Sequence, residues 1–184
     1  MEPLREASPL RDIESAARFE QVVLPHLGAA YNLARWLTRN DHDAEDVVQE
    51  AYLRAHQYFG GFHGTDGKAW VLAIVRNSCY TWLQRNRPHE GTIAFDEEHH
   101  SGTSTAANPE APVLESEDRH VVRQALEELP PPLREVIVLR ELERLSYKEI
   151  ASVAGVPLGT VMSRLARARE RLQECLRRRL NKEP

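Results

Sequence analysis

Residues 145–164 read LSYKEIASVAGVPLGTVMSR, in which two helical patterns flank a short turn. Ser146, with Glu149 three residues later, is a capping box that predicts the start of a short helix. The Gly155-Val156-Pro157 segment predicts the turn after it. A last helix is predicted from near Thr160, because apolar residues recur there at intervals of four and three. These are Val161, Leu165, Ala168, Leu172 and Cys175, and the opposite face carries Arg164, Arg167, Arg169 and Arg171.

A short helix, a tight turn and a longer basic helix are the plan of a helix-turn-helix. In that motif the second helix lies in the major groove of DNA and its first residues meet base edges. Taken alone, the segment also fits an ordinary helical hairpin with a solvated basic face.

The rest of the chain also predicts helices, since it has no sustained alternation of apolar and polar residues. Helices are expected over residues 13–25, 27–38, 43–59, 68–87, 117–129 and 133–143. The apolar stripe of the second contains Leu27, Ala30, Tyr31, Ala34 and Leu37, and Asp43 is expected to cap the third. Residues 60–67 contain four glycines and predict a loop.

Residues 89–118 are rich in Gly, Ser, Thr, Ala, Pro, His and acids, and show no periodicity. We expect a flexible acidic linker there. The predicted fold class is therefore all-α, with two small helical domains at 1–88 and 119–184 joined by this linker. The C-terminal domain is the helix-turn-helix.

Charge is distributed unevenly, although the whole chain has a net charge of −4 and a pI of about 6.1. Residues 88–128 carry 2 basic and 10 acidic groups, whereas residues 129–184 carry 12 basic and 7 acidic groups. The basic C-terminal segment fits a nucleic-acid partner.

Several classes of protein are disfavoured. The sequence has no glycine-rich phosphate loop, nucleophile elbow or set of residues at metal-ligand spacing, so neither an enzyme nor a cofactor or metal site is expected. Cys79 and Cys175 are isolated thiols, and the His99-His100 pair lies in the linker. Because no stretch resembles a signal peptide or a membrane span, we expect a cytoplasmic protein without membrane insertion.

Residues 41–50 contain five acids and neither Lys nor Arg. Asp46 and Glu50 are four residues apart and share a helix face, where like charges repel. A basic partner would relieve that repulsion, although a solvated acidic face remains the alternative.

Residues 68–87 have the opposite character: four basic residues, no acid, and Trp70, Tyr80 and Trp82 between them. A basic helix with aromatic residues beside a glycine-rich loop can bind single-stranded DNA by phosphate contact and base stacking. Alternatively Trp70 and Trp82 belong to the core, which makes Arg76 and Asn77 the better candidates for contact.

Three motifs together resemble the extracytoplasmic-function sigma factors over about residues 15–178. The first is DAEDVVQEAY at 43–52, the second runs from Phe62-His63-Gly64 to Trp82-Leu83, and the third is the helix-turn-helix. The resemblance implies a non-enzymatic initiation factor whose partners are core RNA polymerase, promoter DNA and an anti-sigma factor. Within the polymerase it implies the clamp helices of the largest subunit and the flap of the second-largest subunit.

The resemblance also implies a role for each motif. The polymerase-binding residues are Asp43, Asp46, Gln49 and Glu50. The residues that contact the minus-ten element, from which a base is flipped, are Phe62, His63, Lys68, Arg76, Asn77 and Arg85. The residues that contact the minus-thirty-five element are Thr160, Met162, Ser163, Arg164 and Arg167. Many family members carry Arg where this chain has Met162, so fewer direct base contacts are expected here.

Two other kinds of protein remain as alternatives to a sigma factor. A stand-alone helix-turn-helix regulator would explain the C-terminal domain but not the acidic helix or the linker. A helical adaptor or anti-sigma-like binder would not support transcription when added to core polymerase.

Overall fold

The computed structural model describes residues 9–86 and 117–180, and every regular element in these two segments is a helix. The predicted all-α class is confirmed. Residues 89–116 of the predicted linker lie outside the described residues. Among the described helices, none is both long and apolar enough to cross a membrane.

The N-terminal region, residues 9–86, consists of α1 (Pro9–Val22), α2 (Leu27–Thr38), α3 (Asp41–Tyr58) and α4 (Gly67–Asn86). A short 3-10 turn, Leu24–His26, joins α1 to α2, and a second one, Phe59–Gly61, follows α3. The bounds of α2 agree with the prediction. Helix α1 ends earlier than predicted because the chain tightens into the first 3-10 turn, which contains Pro25.

The junction between α2 and α3 corrects one detail of the prediction. The N-cap of α3 is Asn40 rather than Asp43, and the Asn40 side chain accepts a hydrogen bond from the Asp43 amide at 3.1 Å. Asn40 has an extended backbone, as an N-cap requires, whereas Asp43 already lies in the first helical turn. In that position the Asp43 carboxylate interacts favourably with the positive end of the helix dipole.

The C-terminal region, residues 117–180, consists of α5 (Glu117–Glu128), α6 (Pro131–Ile137), α7 (Tyr147–Ala154) and α8 (Leu158–Leu180). Helix α6 continues into a π-helical turn, Val138–Leu142. The predicted capping box is confirmed, since Ser146 and Glu149 exchange both of its hydrogen bonds. Gly155 ends α7 with a φ of 65°, a left-handed conformation that glycine adopts without a steric cost.

A buried arginine holds the start of α6 against the helices around it. Arg134 is 1% exposed, and its guanidinium donates to the carbonyl oxygens of Leu126, Glu127 and Leu129 at 2.6–3.0 Å. It also donates to the Trp36 carbonyl in α2 at 2.8 Å. These bonds satisfy carbonyl groups at the C-terminal ends of α5 and α2, which have few partners inside their own helices.

The apolar cores of the two regions are in contact with each other and form one cluster. The buried side chains of α2, α3 and α4 belong to the same cluster as those of α5, α6, α7 and α8. Helix α2 packs against α6, and helix α4 packs against α7. Each region therefore covers apolar surface that the other would expose to water.

Candidate nucleic-acid interface and partner-binding face

The acidic face of α3 lies open to solvent. Asp46, Gln49 and Glu50 are exposed and Asp43 is half-buried. The other side of the helix is in the core, where Ala44, Val47, Val48, Ala51 and Ala55 are buried. Glu50 pairs with Arg54 one turn later in the same helix. An exposed pair of this kind contributes little to stability.

A groove runs beside the acidic face, between α2 and α3. It has a volume of about 530 Å³ and is lined by Leu27, Gly28, Tyr31, Glu45, Val48 and Gln49. The helical pattern predicts Leu27 in the core, yet it is 47% exposed and lines this groove. We refer to these six residues as the α2–α3 groove. The groove does not follow from the pattern of either helix alone, because its walls come from two helices.

Tyr31 lines the groove and forms a hydrogen bond with the first residue of α3. Its hydroxyl donates to Asp41 Oδ1 at 3.2 Å, and Arg35 pairs with the same carboxylate. Burial and the neighbouring Asp41 carboxylate raise the pKa of Tyr31 above its ordinary value. The phenol therefore stays protonated and acts as a hydrogen-bond donor at neutral pH.

The glycine-rich loop is anchored by stacked aromatic side chains. The Phe62 ring lies 5.9 Å from Phe59 and 4.7 Å from Trp70, between ring centroids. Phe62 is 7% exposed, so this predicted minus-ten residue lies in the core, whereas its neighbour His63 is exposed. Trp70 is half-buried and packs against the core, which agrees with the core alternative for that residue.

Helix α4 presents its predicted DNA-contacting residues in two groups. Asn77 and Arg85 are exposed. Lys68 and Arg76 instead face acidic residues of the C-terminal region. Lys68 Nζ lies 3.1 Å from Glu143 Oε2 and also donates to the Glu143 carbonyl at 2.8 Å.

Arg76 belongs to a buried polar cluster. Its Nε donates to Glu135 Oε1 at 2.6 Å, and the Tyr80 hydroxyl donates to Glu135 Oε2 at 2.9 Å. The guanidinium also lies over the Tyr80 ring, 4.2 Å from its centroid. Complete burial raises the pKa of Glu135, and the Arg76 charge and the two hydrogen bonds oppose that rise. We refer to Arg76, Tyr80 and Glu135 as the Glu135 cluster.

Helix α8 has the apolar face that the sequence predicts, and most of the residues predicted for its open face are accessible. Val161, Leu165 and Ala168 are buried, and Leu172 packs partly buried against the core. Met162, Ser163 and Arg167 are exposed, and Thr160 is half-buried. Met162 is 54% exposed, so this face presents an apolar contact surface rather than a hydrogen-bond donor at that position.

Arg164 departs from the predicted arrangement. The sequence places it on the open face of α8, but its side chain is buried at 9% exposure. Its charge acts on both Glu135 and Tyr80, so it lies near the Glu135 cluster. The helical spacing misassigns it because a surface that faces solvent in an isolated helix is here covered by the packing of the surrounding structure.

The predicted site residues thus fall on two separate surfaces. The four residues predicted to bind polymerase share the acidic face of α3. The DNA-contacting set is divided, since Lys68, Arg76 and Arg164 lie at the boundary between the two regions and the others lie outside it. No group of three or more His, Cys, Asp or Glu side chains in the described segments is arranged to hold a metal ion.

Comparison with known proteins identifies both regions. Residues 22–89 match the family model for sigma-70 region 2, and residues 119–172 match that for sigma-70 region 4. The ECF RNA polymerase sigma-E factor of Haemophilus influenzae is 37% identical, over 77% of each chain. The RNA polymerase sigma-H factor of Pseudomonas aeruginosa is 33% identical, over 86% of each chain. The alignment with the ECF sigma factor SigE of Mycolicibacterium smegmatis, also 33% identical, covers 61% of that protein's length.

Solved structures agree with these relatives. The sigma factor RpoE from Bartonella quintana, solved with the anti-sigma factor NepR, has a TM-score of 0.68 and 30% identity. That match covers 87% of this chain and 97% of RpoE. CnrH, solved with the cytosolic domain of CnrY, has a TM-score of 0.61 and 25% identity, over 89% and 93% of the two chains.

The matches to regions 2 and 4 define the class of protein, a promoter-directing sigma factor of RNA polymerase. Sigma factors act in transcription initiation and are not themselves catalysts. Within that class, the chain belongs to the extracytoplasmic-function (ECF) sigma factors. A stand-alone helix-turn-helix regulator is not favoured, because it would leave the region 2 match unexplained.

Proposed function

We propose that this sigma factor binds core RNA polymerase through the acidic face of α3 and the α2–α3 groove. Protein interfaces commonly have an apolar centre with a polar rim, and the groove with its neighbouring carboxylates has that composition. The exposed acidic face beside the groove is the observation that carries the proposal. The resemblance to the family supplies the partner, which is the clamp helices of the largest subunit. The flap of the second-largest subunit is the partner proposed for the C-terminal region.

We propose that promoter DNA is contacted by two sets of residues. His63, Lys68, Arg76, Asn77 and Arg85, together with the Phe62 loop, serve the minus-ten element. Thr160, Met162, Ser163, Arg164 and Arg167 serve the minus-thirty-five element. The support is the basic character of α4, the helix-turn-helix geometry of α7 and α8, and the exposed polar face of α8.

The domain boundaries at residues 88 and 119 also belong to this proposal. They agree with the ends of the two family-model matches, at residues 89 and 119. We further propose a cytoplasmic location, where RNA polymerase works, and an anti-sigma factor as a partner. The latter rests on RpoE, which was solved with an anti-sigma factor.

The polymerase contact is tested by reversing charge on the acidic face. The double variant Asp46→Lys with Glu50→Lys should weaken core-polymerase binding by about 1–3 kcal/mol, roughly 5- to 150-fold, because two attractions become repulsions. Binding is measured by fluorescence anisotropy with purified core polymerase. Run-off transcription on a promoter library then reports the loss of activity.

A matched control is available on α8. Glu170 and Glu174 are also exposed acids four residues apart, and they lie beyond the proposed reading residues. The variant Glu170→Lys with Glu174→Lys should bind core polymerase more tightly than the double variant of the acidic face, because neither residue lies on that face. Equal binding by both double variants would show that the acidic face is not the polymerase contact.

A further inference from the structure

The loop that joins the second 3-10 turn to α4 presents its tip to solvent. This loop, residues 62–66, is the Phe62 loop, and His63, Gly64 and Thr65 in it are exposed. Two glycines directly precede the loop and a third lies within it. Glycine loses more conformational freedom on ordering than any other residue, so a segment of this composition keeps one shape only where contacts hold it.

The end of the loop next to α4 is held by a local cap. The Asp66 carboxylate accepts a hydrogen bond from the Ala69 amide at 2.9 Å, and the Asp66 carbonyl accepts one from the Trp70 amide at 3.3 Å. These are the bonds that an N-cap residue makes to the first turn of its helix. They fix the chain where α4 begins, which is beyond the exposed tip of the loop.

The other end of the loop is held by α1, from a residue 44 positions earlier in the chain. Arg18 Nη2 donates a hydrogen bond to the Phe62 carbonyl oxygen at 3.1 Å. The same guanidinium lies over the Phe59 ring, 5.3 Å from its centroid, in a cation–π contact. The next residue of α1, Phe19, is buried and packs edge-on against Phe59 at 5.2 Å, so this part of α1 is fixed to the core.

The bonded carbonyl group determines how the next residue leaves the core. The Phe62 carbonyl and the His63 amide belong to one planar peptide unit, so a donor on that oxygen fixes the orientation of the whole unit. The Phe62 ring is also confined, since it lies against Phe59 and Trp70. Gly64 passes close to the same ring, where a Cβ atom would lie 2.9 Å from it. With both its ring and its carbonyl held, Phe62 defines the point from which the exposed tip begins.

We propose that Arg18 is a positioning residue for the minus-ten element: by holding the Phe62 carbonyl, it keeps the Phe62 loop in the conformation that binds promoter DNA. This inference rests on the contact between that loop and the minus-ten element proposed above. A loop that is already ordered loses less conformational entropy when it captures a base, so it binds more tightly than a mobile loop of the same composition. Arg18 itself makes no contact with DNA in this role.

The first measurement needs neither DNA nor polymerase. Arg18→Met removes the donor and the charge but keeps a long unbranched side chain. Hydrogen exchange of the full chain, read by mass spectrometry after millisecond labelling, follows the Phe62 amide, which is bonded to the Phe59 carbonyl at 2.9 Å. Exchange in the segment 59–65 should be about 3- to 10-fold faster in Arg18→Met, as expected for the loss of one hydrogen bond. The segment 66–70, held by the Asp66 cap, should exchange as in the parent.

The second measurement uses the holoenzyme formed with core polymerase. The probe is a fluorescein-labelled single strand that carries the minus-ten segment of a promoter selected by the parent holoenzyme from a library. Arg18→Met should bind this strand about 3- to 10-fold more weakly by anisotropy, because one hydrogen bond no longer orders the loop. The slope of affinity against salt should not change, since a residue that only positions the loop releases no counterions from DNA. Arg18→Lys, which keeps a donor for the carbonyl, should restore most of the affinity and most of the protection from exchange.

Two comparisons separate positioning from other roles. Ser15→Met is the matched control, because it places the same side chain on the exposed surface of α1 three residues earlier, and it should behave as the parent does. Combining Arg18→Met with His63→Ala should weaken binding by less than the product of the two single effects, because Arg18 acts through the loop that carries His63.

Several results would overturn the proposal. Unchanged loop exchange in Arg18→Met would show that Arg18 does not hold the loop, and a flattened salt dependence would make Arg18 a phosphate contact instead. Failure of Arg18→Met to fold would also refute it, since an exposed positioning residue is not needed by the core. If His63→Ala weakens binding but Arg18→Met does not, the inference fails while the proposed function stands. If neither variant weakens binding, the proposed contact of the Phe62 loop with DNA fails, and the role of Arg18 at the minus-ten element fails with it.

Discussion

Gly67, the first residue of α4, packs directly against the end of α1. Its replacement by alanine tests how closely the two helices approach each other. A Cβ atom at this position would lie 2.3 Å from the Val22 carbonyl oxygen and 2.6 Å from Val22 Cγ1. The valine methyl can rotate away, but the carbonyl belongs to the backbone at the end of α1. Either α1 or α4 must therefore move by a substantial part of an ångström.

The expected cost of Gly67→Ala follows from that clash. Forcing extra volume into a packed site costs about 1–3 kcal/mol, and alanine's better helix propensity returns at most about 1 kcal/mol. For a chain of this size, each kcal/mol shifts the unfolding midpoint by about 2–4 °C. We expect the midpoint of Gly67→Ala to fall by several degrees in thermal unfolding followed by circular dichroism.

Gly28→Ala provides the matched control in α2. Nothing lies within 4 Å of a Cβ atom at Gly28, so alanine should stabilise the helix by about 0.4–1 kcal/mol and raise the midpoint. A Gly67→Ala variant as stable as the parent would mean that α1 and α4 are not in the close contact described here. Both variants should be read at the same protein concentration and pH.

Two further predictions concern the helix-turn-helix. Ser146→Ala removes the N-cap of α7 and should cost about 0.5–2 kcal/mol in denaturant unfolding, whereas Ser152→Ala on the exposed face of the same helix should cost far less. The hydrogen bonds between Glu149 and Ser146 lower the pKa of the Glu149 carboxyl group, so their contribution to folding stability is present at neutral pH. It is lost as the pH falls below the ordinary value of 4.5, so the difference between parent and Ser146→Ala should shrink in acid. Arg167→Ala is tested in the polymerase holoenzyme. If Arg167 contacts a base, the variant should reduce promoter affinity by about 1–3 kcal/mol and relax the sequence preference at one position of the promoter. If Arg167 binds a phosphate, the variant should flatten the salt dependence of promoter binding. Arg171→Ala, one turn further along α8, is the control variant. If Arg167→Ala leaves promoter affinity, sequence preference and salt dependence unchanged, Arg167 does not contact the promoter.

Local sequence determined most of the helices and their ends. The capping box at Ser146 and the left-handed glycine at 155 are set by residues three or four positions apart, so the pattern alone predicts them. The apolar repeat of α8 likewise identifies Val161, Leu165 and Ala168 as core residues. The acidic face of α3 and the basic character of α4 are also properties of short stretches, which is why the family resemblance could be recognised from them.

Local patterns failed at one helix end and where two distant segments share a surface. Whether Asn40 or Asp43 caps α3 depends on which residue first leaves the helical conformation, and composition does not distinguish the two. Leu27 sits on the apolar stripe of α2, but its exposure depends on how α3 lies beside it. The α2–α3 groove exists only once both helices are in place.

The relation between the two regions was decided by tertiary structure alone. Glu135 lies within the apolar run LREVIV, where the sequence offers an acid among core residues but no indication of its partner. Its partners Arg76 and Tyr80 are 59 and 55 residues away, and ion pairs at such separations follow no helical periodicity. The same packing buries Arg164, which the helical spacing places in the open. Sequence therefore determined which groups are available for binding, and the packing of the two regions determined which of them meet solvent, because exposure belongs to the assembled fold rather than to any one helix.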